Sequence, residues 1–280
     1  GVIDGLGGRV EYLEDIRGEI GPGAKLKAFA ESVLRPEPAR PGPDTAAVVL
    51  FTSGSEGAPK GVVLSHRNVL ANCAQLRARV PFSPADTVLN VLPIFHAFGL
   101  TGGLYLPLLN GVMTVCHPSP LHYRYIPEIA YSRDATLMFA TDTFLRGYSR
   151  AAQDFDFTSL KYVFAGAEKV RAETRREWSE RFGVRVLEGY GATECSPVIA
   201  VNTPIECRPG TVGKPLPGVS VELESVPGVE RGGRLVVSGP NVMLGYLRHS
   251  ESGRLQPPEE GRYDTGDVVS RDADGYLSIE

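Results

Sequence analysis

The residues best suited to chemistry lie in a few short runs. Thr52-Ser53-Gly54-Ser55-Glu56-Gly57-Ala58-Pro59-Lys60-Gly61 follows an apolar stretch, Ala46 to Phe51, that reads as a buried strand. Gly54, Gly57 and Gly61 let the backbone bend and turn its N–H groups toward an anion, Thr52, Ser53 and Ser55 add hydroxyl donors, and Lys60 adds a full positive charge. A Gly/Ser surface loop has similar composition, but it needs no fixed Pro-Lys-Gly ending. The P-loop pattern of ATPases wants Gly before the Lys and Ser or Thr after it, whereas Lys60 stands between Pro59 and Gly61. The best reading is therefore a phosphate cradle of another kind, at the carboxyl end of a strand.

Further along, Glu188-Gly189-Tyr190-Gly191-Ala192-Thr193-Glu194 sets an aromatic face between glycines, then a hydroxyl, then a hard carboxylate oxygen of the sort Mg²⁺ prefers. Pro93-Ile94-Phe95-His96-Ala97-Phe98-Gly99 places an imidazole among aromatic rings; a satisfied core histidine is the competing reading. Ala165-Gly166-Ala167-Glu168 ends an apolar run with residues small enough for a flat ring to approach the backbone, and is equally an ordinary turn. In Tyr263-Asp264-Thr265-Gly266-Asp267, Asp267 can accept hydrogen bonds from two neighbouring hydroxyls. An aspartic protease would need a second such aspartate, and no second Asp-Thr-Gly occurs. There is no G-x-S-x-G elbow, no histidine with an aspartate three to five residues later, and no clustered His/Cys metal pattern.

In this order these runs resemble the adenylate-forming (AMP-binding) superfamily of acyl-CoA and acyl-carrier-protein synthetases, luciferases and peptide-synthetase adenylation domains. The resemblance extends from about Ala46 to Glu280 and departs from the family at Glu56, where Thr is usual. It implies ATP and Mg²⁺ as cofactors. Thr52, Ser53, Gly54, Ser55, Gly57 and Lys60 would hold phosphates, and Gly166, Ala167, Glu168, Gly189, Tyr190 and Gly191 the adenine. Thr193 would reach the α-phosphate or carboxylate, Glu194 the metal, and Asp267 the ribose, with His96 positioning the acyl carboxylate. Gly232-Gly233-Arg234 and Met243-Leu244-Gly245-Tyr246 match framework segments expected to pack rather than react.

The wording of Phe51–Gly61, Pro118–Tyr123, Thr141–Phe144, Phe164–Lys169 and Pro240–Tyr246 is closest to the acyl-ACP synthetase portion of bifunctional 2-acylglycerophosphoethanolamine acyltransferases/acyl-ACP synthetases. That branch implies a long-chain fatty acid activated as acyl-AMP and passed to acyl carrier protein. An acyl-CoA ligase, or a nucleotide-binding module without turnover, are the alternatives. In the family a hinge and a small lid domain carrying a catalytic lysine come next, so weak ATP binding and poor adenylation are expected of this chain.

The elements that must position these runs are α/β. After Ser65, a helix N-cap candidate, Val69, Leu70, Cys73 and Leu76 recur at helical spacing. Strands at Thr87–Leu92, Val112–Cys116, Ala135–Phe139, Tyr162–Phe164 and Arg185–Leu187 then alternate with helices near Leu100–Leu109, Tyr123–Ser132, Thr143–Ala152 and Arg171–Phe182. Such repeats predict a layered, largely parallel sheet. From about residue 208, Val219–Leu223 and Arg234–Val237 are β runs without intervening helices, predicting a β-barrel-like subdomain. The expected organisation is a tail at 1–45, with a strand at Gly8–Leu13, a helix at Lys25–Leu34 and a Pro36–Pro43 connector. An α/β core at 46–207 and a β-rich part at 208–280 follow it.

With 280 residues, 42% of them hydrophobic, the chain can bury a sizeable core. A net charge of −4 with interspersed signs carries no nucleic-acid footprint. Cys73, Cys116, Cys195 and Cys207 are scattered, which suits structural thiols in a reduced, cytoplasmic setting. Thr87 to Tyr123 contains no Asp, Glu, Lys or Arg, yet prolines, glycines and histidines interrupt it, so it reads as core beside an apolar pocket rather than a span. Peripheral association with the cytoplasmic face of a membrane is compatible with this pattern.

Overall fold

The computed structural model describes residues 20–34, 40–53, 59–251 and 253–280. Residues 1–42 and 43–280 are two separate compact units. The first contains the helix Pro22–Leu34, which opens on proline, the residue best tolerated in a first turn. The expected strand at Gly8–Leu13 and most of the proline-rich connector lie outside the described residues.

The second unit begins with a hairpin, β1 (Ala46–Ser53) and β2 (Pro59–Ser65), paired antiparallel from Ala46↔Ser65 to Ser53↔Pro59. This corrects the buried strand expected at 46–51: Leu50 is buried, but Phe51 is 72% exposed and Val49 39%. The apolar run alternates because one face packs on the core while the other is open. Ser65 caps the helix His66–Arg77 as expected, its hydroxyl accepting from Asn68 N while the Asn68 side chain accepts from Ser65 N. Val69, Cys73 and Leu76 are buried and Leu70 is exposed. The helix N-terminus stands at the Ser65 end of β2, about 20 Å from Pro59 at the other end at ~3.3 Å per residue.

The alternating β/α region follows. Its strands are β3 (Thr87–Asn90), β4 (Met113–Cys116), β5 (Leu137–Ala140), β6 (Tyr162–Ala165) and β7 (Arg185–Gly191), all parallel to their neighbours, and β8 (Val198–Val201) and β9 (Lys214–Pro215) close the edge antiparallel. The order across this seven-stranded sheet is β4-β3-β5-β6-β7-β8-β9. Helices Tyr125–Ser132, Asp142–Ala151 and Ala172–Phe182 connect the parallel strands. One core cluster gathers Leu89, Met138, Tyr148, Phe157, Val163 and Trp178; another gathers Leu76, Leu92, Phe139, Phe164 and Val201. Each fully buried large apolar side chain contributes about 1.5–3 kcal/mol.

The helix expected near Leu100–Leu109 starts earlier and is wound unevenly: α-helical at Ala97–Leu100, π-helical at Thr101–Tyr105, α-helical again at Leu106–Leu109. Pro107 brings no N–H to the Gly103 carbonyl four residues earlier, and the Thr114 hydroxyl donates to that carbonyl instead (2.9 Å). Gly103 has no room for a side chain, since a Cβ there would lie 2.1 Å from the Asn90 amide carbon.

The antiparallel part starts at β8, before the expected boundary at 208. Strands β10 (Ser220–Glu224), β11 (Gly233–Ser238), β12 (Gly245–Leu247), β13 (Leu255–Gln256), β14 (Arg262–Arg271) and β15 (Leu277–Ile279) make up the rest. β10-β11-β14-β15 form one sheet, whereas β12 and β13 join the hairpin in a second, β1-β2-β12-β13. The 46–207 and 208–280 segments thus share a sheet and fall in one compact unit. Burial pushes the Cys73 thiol up to about 12 and raises Cys195 as well, as suits structural thiols; Cys116 and Cys207 are exposed. The uncharged 87–123 stretch is core only in part, because Leu108, Leu109, Met113 and Leu121 are each more than half exposed. Among the described residues no helix is long and apolar enough to cross a membrane.

Candidate functional site

A cavity of about 360 Å³ opens at the carboxyl ends of the parallel strands, where open α/β sheets hold their ligands. Its floor is the core itself: Leu76, Leu92, Phe139, Phe164 and Val201 belong both to a buried cluster and to the lining. Gly102 of the π turn and Pro120 also face it. Gly166 and Ala167 follow β6 on one side, Gly189 to Thr193 end β7 on another, and His96 stands at the mouth.

The rim is built by close backbone approach. A Cβ on Gly191 would lie 2.2 Å from the Pro197 carbonyl oxygen, and one on Gly166 3.1 Å from that of Gly189. Ala167 adopts φ +66°, a left-handed bend that is rare for a residue with a Cβ and that recurs at ligand-binding turns. Tyr190 donates its hydroxyl to Asp267 Oδ2 at 2.5 Å. Burial first, and this bond to a carboxylate second, push the Tyr190 hydroxyl far above the ordinary tyrosine range. Asp267 is exposed, with its N–H donating to Thr265 Oγ1.

Glu194 sits in the turn Thr193–Cys195 and is 8% exposed, receiving the Tyr246 hydroxyl at 2.7 Å. Burial and then contact with Glu194 raise the hydroxyls of both Tyr246 and Tyr263, keeping them as donors. Lys60 Nζ lies 5.5 Å from the Tyr246 ring centroid. The sequence read Tyr246 as framework packing, and the structure puts it between Lys60 and Glu194. No spacing rule could reveal this, because the contact spans 52 positions and depends on β12 pairing with β2.

The expected site residues thus fall into two sets. His96, Gly166, Ala167, Gly189, Tyr190, Gly191 and Thr193 line one cavity, with Asp267 tied to it through Tyr190 and Glu194 one residue beyond Thr193. Glu168 faces away from the cavity. Its carboxylate accepts from Thr143 N (2.7 Å) and Thr143 Oγ1 (2.9 Å) at the start of the helix Asp142–Ala151. Burial works to raise the Glu168 carboxyl, but hydrogen bonds from Thr141 and Thr143 outweigh it and leave it lowered. Thr52, next to last in β1, pairs with Lys60. Gly54, Ser55 and Gly57 lie outside the described residues, as does the Ser53 side chain. His96 makes no side-chain cap bond to the short helix it precedes and contacts the Phe95 ring at 5.2 Å. Lining residues that sequence reading did not name as site residues include Thr141, Phe139 and Val198.

Among the described residues no three His, Cys, Asp or Glu side chains cluster as a metal cage. A hard cation at this turn would have Glu194 as its single carboxylate and would need its other oxygens from outside the protein's clustered side chains.

The AMP-binding enzyme family model matches residues 9–247. A long-chain-fatty-acid–CoA ligase of Salmonella typhimurium is 31% identical over 247 residues, covering 83% of this chain and 43% of that protein. One from Yersinia pestis is 31% identical over 249 residues, with the same shares of 83% and 43%. The chain therefore spans less than half the length of these curated relatives. Among solved structures, ATP-bound MatB from Rhodopseudomonas palustris superposes with a TM-score of 0.75 at 32% identity, over 86% of this chain and 49% of that one. The anthranilate CoA ligase AuaEII, in complex with anthranoyl-AMP, shares the fold with a TM-score of 0.77 at 24% identity, over 89% of this chain and 50% of that one.

Proposed function

Since the chain belongs to the AMP-binding enzyme family, we propose that its cavity is the acyl-adenylate site of an ATP-dependent acyl ligase whose acid is a fatty acid. The observation that carries this reading is the position of an apolar cavity directly beneath the Gly189–Thr193 rim. An adenylate lying on the rim has only core-like surface below it for the acyl group, which suits an alkyl chain.

The chemistry asks one anion to attack another. A carboxylate oxygen bonds to the α-phosphorus of ATP, the bond to the β-phosphate oxygen breaks, and pyrophosphate leaves with the electron pair. A thiol then displaces AMP from the acyl carbon, releasing its proton. For the first step the protein must neutralise phosphate charge and hold the carboxylate in line. Lys60 supplies charge, Thr193 a hydroxyl donor, His96 a positioning group at the mouth, and Asp267 an acceptor for ribose hydroxyls. Mg²⁺ at Glu194 would neutralise phosphate oxygens.

For the acceptor thiol, the motif wording favours acyl carrier protein, while the names of the relatives favour CoA. Parallel transfer assays with the two acceptors decide between them. The fatty-acid reading is tested by calorimetry with hydrolysis-resistant acyl-adenylates graded in chain length. Affinity rising with chain length to at least eight carbons is expected, at about 0.8 kcal/mol per buried methylene. An aryl adenylate binding more tightly than every alkyl one would overturn it.

A further inference from the structure

The edge where β12 meets β2 carries two cations rather than one. Lys60 Nζ is 5.5 Å from the centroid of the Tyr246 ring, and the Arg248 guanidinium carbon is 5.4 Å from the same centroid. The register accounts for the meeting. Tyr246 pairs with Val62 and Leu247 with Gly61, so one further step brings Arg248 across from Lys60. Because side chains alternate along a strand, Lys60, Arg248 and Tyr246 share a face. The Tyr246 hydroxyl donates to Glu194 at 2.7 Å, so the ring fixes both cations relative to the carboxylate.

Two cations held against one ring attract an anion from both sides. Neither Lys60 nor Arg248 lines the cavity under the Gly189–Thr193 rim. They stand outside the space that would hold an adenylate, on the side of Glu194, and a guanidinium fork matches phosphate oxygens in two places where an ammonium acts as a point charge. Resting on the proposed ATP site, we infer that Arg248 is a second polyphosphate-binding residue, which with Lys60 grips the phosphates that leave as pyrophosphate. Tyr246 is the positioning residue that holds the pair in register with Glu194. Arg248 therefore acts on ATP and not on AMP.

The test is calorimetric titration of the 280-residue chain, its Arg248→Gln and its Arg248→Lys variants with Mg²⁺·ATP and, separately, AMP. The expected result is an ATP affinity reduced about tenfold in Arg248→Gln, the scale of one lost charge-assisted bond, with AMP affinity unchanged within twofold. Arg248→Lys recovers part of the ATP affinity, and added salt weakens ATP binding more steeply in the parent than in Arg248→Gln. Equal losses for ATP and AMP, or no loss for either, overturn the inference and leave the nucleotide site standing. A parent chain that binds neither nucleotide overturns the site reading, and the inference with it.

Discussion

Tyrosine hydroxyls are the polar groups most consistently built into this site. Those of Tyr190, Tyr246 and Tyr263 are all raised, in each case by burial first and by a neighbouring carboxylate second. The folded chain therefore keeps protons that an unfolded tyrosine gives up near 10.0. The stability these groups contribute is fully present below that value and lost as pH rises through it toward their folded values. Thermal melts should show Tm falling above pH 10, and Tyr190→Phe should flatten that fall; an identical profile in the variant would contradict it. Tyr190→Phe also removes the donor to Asp267. A loss of about 1 kcal/mol in stability is expected for one hydrogen bond to an exposed carboxylate, measured by denaturant unfolding. The sequence marked Tyr190 for its ring between glycines and could not show the hydroxyl at work, since its partner lies 77 residues away.

Strands and turns explain why some positions admit no substitution. Gly191→Ala would set a Cβ 2.2 Å from a backbone oxygen, so the rim must move or the strand pair β7–β8 must part. A stability loss of about 1–3 kcal/mol is expected, together with at least tenfold weaker AMP binding by calorimetry; parent-like affinity would show that the rim is not where the nucleotide lies. Beneath the sheet, buried Asp86 accepts from Ser83 N (2.8 Å), Thr136 Oγ1 (2.9 Å) and Lys161 Nζ (2.6 Å). Burial alone would raise its carboxyl, and these donors together bring it below the ordinary 3.8. Its contribution is present above 3.8 and lost as pH falls through its folded value. Asp86→Asn should cost about 1–3 kcal/mol at neutral pH, with the difference from the parent narrowing below pH 4. The parallel strands were readable because each is a short apolar run and helices separate most of them along the chain. The hairpin β1–β2 was misread as buried because a run such as Ala46–Phe51 carries no polar alternation to show that one face is open.

Long-range order in residues 43–280 runs through buried amides on and opposite the helix His66–Arg77. Asn68 donates to the carbonyls of Pro240 and Val242, Asn72 donates to that of Val198, and Asn241 donates to that of Cys195 while its own carbonyl accepts from Ser196. These bonds tie the turn carrying Glu194 to both antiparallel sheets. Asn241→Ala should destabilise by about 2–4 kcal/mol through stranded buried partners, and unfolding followed by fluorescence and by circular dichroism should stay coincident. The two kinds of strand pattern pointed to this division of the sheets. That β12 and β13 return to the opening hairpin was not readable, because pairing partners far apart in sequence leave no local signature. The central claim is that one continuous site holds nucleotide and acyl group together. Its most direct test is calorimetry of AMP and of a long-chain acyl-adenylate mimic on the parent, on Asp267→Ala and on Val198→Trp, which fills the cavity. The account predicts that Asp267→Ala weakens both ligands, whereas Val198→Trp leaves AMP unchanged and removes the mimic's advantage over it. A mimic that binds Val198→Trp as tightly as the parent would place the acyl group elsewhere and contradict the account.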